Sequence, residues 1–212
     1  MNLRLAAVLL GLVLAAGSAP GPVTAAEVVE IRDYQGQKLD LFDRKYDNSI
    51  KGPQKIDPQA YRLKLDGLVA ESLELKYDQV LALPKVRKVV IMHCVEGWSE
   101  RLLLDGVRLK DLLDLARPKP EAKVVIFWAQ DGYSSALPLD YVLGRDLMLA
   151  SHVNGLQLDE RRGFPFWLVA EDKLGYKWVR WVTRIQLSDK PYLGFWEKRG
   201  YSDQADAPQG RR

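Results

Sequence analysis

Cys94 is the only cysteine in the chain. It closes the apolar run Val89-Val90-Ile91-Met92-His93-Cys94, just ahead of Val95-Glu96-Gly97-Trp98-Ser99. A lone cysteine forms no internal disulfide, so it is either a small buried hydrophobe or a working thiol. Its position, where a strand-like segment hands over to a Gly-Trp-Ser turn, favours the working thiol. Two chemistries suit one: nucleophilic attack as the thiolate, or ligation of a soft or high-valent metal. The nucleophile needs a base. His93 is adjacent, but successive side chains of a strand point to opposite faces, so it aims away from Cys94. His152, the only other histidine, has no supporting Asn or Asp at a recognisable spacing. One Cys and two His also fall short of a tetrahedral zinc set without a carboxylate.

Two further segments carry candidate binding chemistry. Arg161-Arg162-Gly163-Phe164-Pro165 and Gly175-Tyr176-Lys177-Trp178-Val179-Arg180 are Gly-containing loops with bases, each entering a strand. Backbone N–H groups at such turns, backed by Arg or Lys, can seat a phosphate. The same residues read equally as ordinary turns with solubilising charges. Of the six tryptophans, Trp128, Trp167, Trp178 and Trp181 fall in predicted strands, as core or sheet-face residues. Trp98, beside Cys94, can line a pocket.

The elements that must position these residues follow from periodicity. Tyr61, Leu63 and Leu65 alternate with Arg62, Lys64 and Asp66, predicting a half-buried strand ended by Gly67. A short helix is predicted from Tyr77 to Leu83, stopping at Pro84, and a strand from Val86 to Cys94. Asp105-Gly106 reads as a turn, and Leu109, Leu112, Leu113 and Leu115 as a helix running up to Pro118. Strands are predicted over Val124–Ala129, Ser134–Leu137 and Phe166–Ala170, with a turn at Asp131-Gly132 and a helical turn from Pro138. Asn154-Gly155, flanked by Leu147–His152 and Leu156–Leu158, is the strongest hairpin signal. The last strand is predicted to be long, with Lys177, Val179, Trp181, Thr183, Ile185 and Leu187 on one face. Strands dominate, so the fold class is α+β: a single β-rich domain on a mixed sheet.

The N-terminus reads as an export signal. Residues 1–25 hold no acid and one base, Arg4, followed by an apolar stretch from Leu5 to about Ala16 and small residues at Val23-Thr24-Ala25. That stretch is too short to span a bilayer, and cleavage is expected after Ala25 or Ala26. No twin arginine precedes it, which predicts export as an unfolded chain to the periplasm. Residues 26–58 are expected to form an arm wrapping the domain, 59–207 the domain itself, and 208–212 a tail. Acids and bases are mixed along the chain and the net charge is +3. This excludes a nucleic-acid surface, and no second stretch of spanning length argues for an integral membrane protein.

In combination, the pieces resemble the molybdopterin-binding domain of the sulfite oxidase superfamily. The carriers are Cys94-Val95-Glu96-Gly97-Trp98-Ser99, the Asn154-Gly155 hairpin, Arg162-Gly163-Phe164-Pro165 and Gly175-Tyr176-Lys177, in this order. The likeness extends over roughly Tyr61 to Ala207. It is closest to the short bacterial periplasmic branch related to the catalytic subunit of the protein-methionine-sulfoxide reductase, which Gly194-Phe195-Trp196-Glu197-Lys198-Arg199-Gly200-Tyr201-Ser202 also resembles.

The resemblance implies a β-rich α+β fold and a molybdenum–molybdopterin cofactor. It makes Cys94 the thiolate ligand of the metal and Gly175, Tyr176 and Lys177 the loop at the phosphate end of the pterin. A membrane haem protein or a soluble cytochrome would be the electron partner, and a small oxo-acceptor such as a sulfoxide the substrate. Two positions depart from the family pattern: Trp167 stands where an arginine usually helps hold the cofactor, and Arg162 stands for an asparagine. Arg162 is therefore a candidate cofactor ligand. Together with the leader type, Trp167 motivates a second reading, a cofactor-free periplasmic binding or accessory module on the same fold.

Overall fold

The computed structural model describes residues 29–42 and 49–208. The predicted leader, residues 1–25, lies outside the described residues. The elements in chain order begin with β1 (Asp33–Tyr34), β2 (Gln37–Lys38), β3 (Arg62–Gly67), β4 (Leu73–Lys76), α1 (Tyr77–Leu81), β5 (Lys85–His93), β6 (Ser99–Arg108) and α2 (Leu109–Ala116). After these come β7 (Val124–Ala129), β8 (Ser134–Pro138), α3 (Leu139–Gly144), β9 (Met148–Val153), β10 (Leu156–Gln157), β11 (Trp167–Val169) and β12 (Val182–Ser188). Short 3₁₀ turns cover Gly175–Lys177 and Glu197–Arg199.

Among the described residues, the larger strands form two five-stranded sheets. One runs β4-β3-β12-β7-β8, with β3 and β12 parallel and the other pairs antiparallel. The second runs β10-β9-β6-β5, with β11 also paired to β9. This is the mixed, β-rich α+β architecture that the strand periodicities predict. Alternation explains the core: Leu63 and Leu65 of β3, Val125 and Phe127 of β7, and Leu102 and Leu104 of β6 all point inward. Helix α2 buries Leu109, Leu112, Leu113 and Ala116 at helical spacing and ends at Arg117, which takes φ 53°. No helix among the described residues is long and apolar enough to cross a membrane.

Three local outcomes bear on the site. Asn154 (φ 49°) and Gly155 (φ 80°) both adopt positive φ, the backbone that a two-residue hairpin demands. Asp105-Gly106, expected as a turn, instead lies inside β6 at an irregularity in its pairing with β9. There glycine serves close approach: a Cβ on Gly106 would stand 2.0 Å from the Leu149 carbonyl oxygen. The long last strand is shorter than predicted. Trp181 turns to φ 54°, β12 begins at Val182, and Lys177 belongs to a 3₁₀ turn with its side chain buried.

The segment ahead of β3 lies along the second sheet. Ile31 N donates to Asn154 O (2.8 Å) and Asp40 N to Arg101 O (2.9 Å). Asn154 is the hub: its amide nitrogen donates to Glu30 Oε1 (2.8 Å) and Asp40 O (2.9 Å), and its Oδ1 accepts from Leu103 N (2.9 Å). Phe42 is buried and stacks on Trp167 with centroids 5.3 Å apart.

Candidate cofactor site

Cys94 sits one residue beyond the end of β5, in a turn closed by Cys94 N to Trp98 O (2.9 Å) and Gly97 N to Cys94 O (3.2 Å). Gly97 takes φ 87°, which lets the chain reverse within four residues and enter β6. Antiparallel pairing of His93 with Ser99 fixes the base of this turn. His93 Nδ1 lies 2.8 Å from Ser99 Oγ, and neither histidine lines the cavity that Cys94 faces. His152 lies on β9 beside Ser151 Oγ (2.9 Å). The structure therefore builds no Cys–His pair at this cavity.

The second motif reaches Cys94 through backbone pairing. Leu174 forms a parallel bridge with His93, which lays Gly175 and Tyr176 beside the end of β5. Between these segments opens a cavity of about 450 Å³, within the usual range for small-molecule sites. Cys94, Glu96 and Trp98 line it from one segment, and Gly175, Tyr176, Trp178, Arg180 and Trp181 from another. Trp167, Asp131, Tyr133, Phe195, Trp196 and Tyr201 complete most of the wall.

The aromatic wall is held by its polar ends. Trp167 Nε1 donates to Trp178 O (3.1 Å), Trp178 Nε1 to Lys173 O (3.0 Å) and Trp181 Nε1 to Glu160 O (2.7 Å). Each indole N–H is satisfied by a carbonyl, and the rings pack on one another and on their neighbours, Trp167 on Trp178 at 5.5 Å and the Arg180 guanidinium over Trp181 at 4.7 Å. The Tyr133 hydroxyl donates to Tyr176 O. Burial, and then the nearby Glu197 charge, hold the Tyr133 hydroxyl well above its ordinary range and push Tyr176 up to about 12. Both remain protonated donors at neutral pH.

Cys94 is partly exposed. Its Sγ lies 3.8 Å from Glu96 Oε2, which also accepts from Trp98 Nε1 at 3.0 Å. Burial is the main cause that pushes the Cys94 thiol up from its ordinary value. Left alone, such a thiol is a poor nucleophile; under a metal it is deprotonated outright.

Two sequence expectations are corrected here. Lys177 does not face the cavity. Its side chain is fully buried, and its ammonium group meets Glu197 Oε1 (2.6 Å), Asp203 Oδ1 (3.0 Å) and Ala136 O (3.1 Å). An ammonium group has three N–H donors, so none remains for a phosphate. Arg162 also lies outside the cavity lining: its guanidinium stands over the Phe42 ring at 5.7 Å and its Nε is 3.7 Å from Asp159. Among the described residues, the cation that does line the cavity is Arg180. It lies along Gly163, where a Cβ would meet the arginine methylenes at 3.0 Å, and its Nη1 donates to Arg161 O (3.2 Å). Arg180 stands in the quoted Gly175–Arg180 segment, but its direction depends on the break at Trp181, which residue spacing does not encode. Gly175, Tyr176 and Cys94 all line the cavity.

This donor set tests what the cavity can hold. Among the described residues no group of three or more His, Cys, Asp or Glu is placed to hold a metal ion. A metal at Cys94 would thus draw one soft ligand from the protein and need the rest from an organic group bound alongside it. Aromatic walls suit a planar heterocycle, and Arg180 suits an anionic end. The residues fit a pterin-type metal cofactor.

The sequence comparisons agree with the class this geometry defines. The sequence pattern of the oxidoreductase molybdopterin-binding domain matches residues 50–196. An uncharacterised oxidoreductase of Bacillus subtilis, YuiH, is 35% identical, with 76% of this chain and 81% of that protein covered. The protein-methionine-sulfoxide reductase catalytic subunit MsrP of Gluconobacter oxydans is 29% identical over 68% of this chain, which spans 52% of its length. In structure, the sulfane dehydrogenase SoxCD of Paracoccus pantotrophus matches with a TM-score of 0.62 and 28% identity, over 66% of this chain and 41% of that one. The chain belongs to the oxidoreductase molybdopterin-binding domain family, a family of enzymes.

Proposed function

We propose that this chain binds molybdenum–molybdopterin with Cys94 as the protein's ligand to the metal, and that it acts in the periplasm on a small oxo-acceptor such as a sulfoxide. The observation that carries this reading is the placement of the sole cysteine at an aromatic cavity that also holds one guanidinium, Arg180. The cofactor, when bound, supplies oxygen-atom or electron transfer. The chain's own residues hold and orient it. Cys94 would donate a thiolate, Arg180 would meet an anionic end, and the aromatic lining from Trp167, Trp178 and Trp181 would exclude water. Trp167 contributes ring surface where an arginine would contribute charge, and Arg180 supplies the charge instead. MsrP's name as a sulfoxide reductase catalytic subunit supports the sulfoxide class. It also supports a separate electron partner, for which a membrane haem protein or a soluble cytochrome is proposed.

Metal analysis tests the reading. Protein purified from a host that makes molybdopterin is expected to carry about one molybdenum per chain, and Cys94→Ser none, because a hydroxyl replaces thiolate poorly at a soft metal. A parent chain free of molybdenum from such a host would overturn the reading and leave the cofactor-free module.

A further inference from the structure

Leu174 is the rung that holds the Gly175–Tyr176 turn against the Cys94 turn, and it is held from two sides. On one side it bridges His93, at the end of β5. On the other lies the C-terminal segment. Ala205 O accepts from Leu174 N (2.7 Å), Ala207 N donates to Asp172 O (2.8 Å), and Lys173 pairs antiparallel with Asp206. Residues 205–207 thus run as a further short strand beside the turn, outside both large sheets.

Side chains reinforce this pairing. The Lys173 ammonium meets Asp206 Oδ1 (2.5 Å), Tyr176 donates its hydroxyl to Ser202 O (2.7 Å), and Asp203 takes one donor of Lys177 (3.0 Å). Little apolar surface is committed, however: among residues 202–208, Ala205 alone is fully buried. The pairing also carries strain. Asp172 takes φ 65° and Ala205 φ 52°, one on each side of the bridge. Aspartate tolerates the left-handed region, but alanine does not favour it, because its Cβ crowds the carbonyl that follows. Such a backbone persists only while its surroundings fix it. A segment with exposed hydrogen bonds, one small buried residue and a strained backbone opens more easily than the sheets beneath it.

What it opens onto is the cavity. Gly175 and Tyr176 line it from one turn and Cys94 and Trp98 from the other, so the separation of the two turns sets its width. The approach is close: a Cβ on Gly175 would stand 3.5 Å from His93 O. Lys177 stays in place when the segment leaves, because Glu197 and Ala136 O still hold its ammonium. Residues 172–176 then keep the Lys177 anchor, lose the one at Leu174 N, and can swing away from the Cys94 turn.

We propose that residues 202–207 are a releasable clasp on the Gly175–Tyr176 turn, and that its opening is the route by which a bulky planar ligand reaches Cys94. The identity of that ligand rests on the proposed function; the clasp itself does not. Two measurements on the purified full chain test it.

Native-state hydrogen exchange in rising urea follows the amides of Leu174 and Ala207, the donors of the two clasp bonds. They are expected to be about a hundredfold or more less protected than the central β9 amides, with little urea dependence. Equal protection with equal urea slopes would mean that the segment opens only when the whole chain unfolds, and overturns the clasp.

Cys94 is the only cysteine, so thiol labelling reports on the cavity alone. The chain is made in a host without molybdopterin, which leaves the thiol free. Proline is locked near φ about −65°, so Ala205→Pro cannot hold the clasp backbone. It is expected to raise the labelling rate with pyrene maleimide about tenfold relative to that with iodoacetamide. The ratio discounts global unfolding, which admits both reagents alike. Asp206→Ala removes one exposed ion pair and is expected to raise the ratio about twofold. An unchanged ratio in Ala205→Pro, or in Asp206→Ala should the proline variant not fold, overturns the link between clasp and cavity. Neither readout needs bound metal, so molybdenum content reports separately on the proposed function.

Discussion

The Cys94 turn and the Gly175–Lys177 turn face the same cavity but are held in opposite ways. The first is local: two backbone bonds within five residues, a positive-φ glycine and the β5–β6 pairing deliver a partly exposed thiol. The second is built from distance: Lys177 gathers Ala136, Glu197 and Asp203 from two other parts of the chain and is fully buried. A local device can offer its side chain to a ligand, because its own fold does not consume the functional group. A nonlocal one spends its donors on the fold. Two residues that look alike as motif members thus divide into one that offers its side chain to the cavity and one whose donors the fold consumes.

The comparison breaks most visibly at Cys94. Replacing it with serine is expected to remove molybdenum and oxidoreductase activity entirely, yet to leave the thermal midpoint within about 2–4 °C, the equivalent of roughly 1 kcal/mol for a chain of this size. Metal analysis beside a thermal melt checks both halves. Lys177→Met is expected to do the reverse. Removing one partner of a buried pair costs about 3–5 kcal/mol, read by urea unfolding, whereas Lys177→Met combined with Glu197→Leu is expected to recover most of that loss. If Lys177→Met left stability untouched, the contrast between the two turns would collapse.

Arg180 sharpens the comparison, since it belongs to the same segment as Lys177 but faces the cavity. Arg180→Ala is expected to weaken cofactor retention about ten- to hundredfold, for a charge-assisted contact of about 1.5–3 kcal/mol. Its cost in unfolding free energy is expected to stay near 1 kcal/mol. Arg162→Ala, on a side chain outside the lining, is expected to keep retention within about twofold. Dialysis against chelator followed by metal counting separates the two.

The smallest expected effect lies at His152, whose proton affinity burial lowers below the ordinary value of 6.5. Between that value and the lower one in the folded chain, the unfolded state binds more protons. Stability therefore rises with pH through this window and falls as the solution is acidified across it. His152→Gln is expected to flatten that slope, seen as urea midpoints compared from about pH 7.5 down to about pH 5.

Much of this molecule was legible in the residues. Alternation located β3, a continuous apolar run located β7, helical spacing located α2, and Asn154-Gly155 marked its hairpin, because each signal depends on neighbours within a few positions. The placement of Cys94 beyond a strand was legible for the same reason. Misreadings arose where one local pattern serves two tertiary purposes. Asp105-Gly106 has the composition of a turn, yet its glycine lies in β6 so that the Leu149 carbonyl can approach. The alternation from Lys177 to Leu187 suggests one strand, yet Trp181 breaks it with a positive φ.

By itself, then, the sequence determined the β-rich α+β class, the hairpin and the one thiol available for ligation, all consequences of short-range sterics and periodicity. Only the tertiary structure decided which cation faces the cavity. Arg180 and Lys177 lie three residues apart with similar charge, yet Arg180 lines the cavity while carboxylates from residues 197 and 203 take up the lysine's donors away from it. That is a question of chain path, and the carboxylates that hold Lys177 come from 20 or more residues further along the sequence.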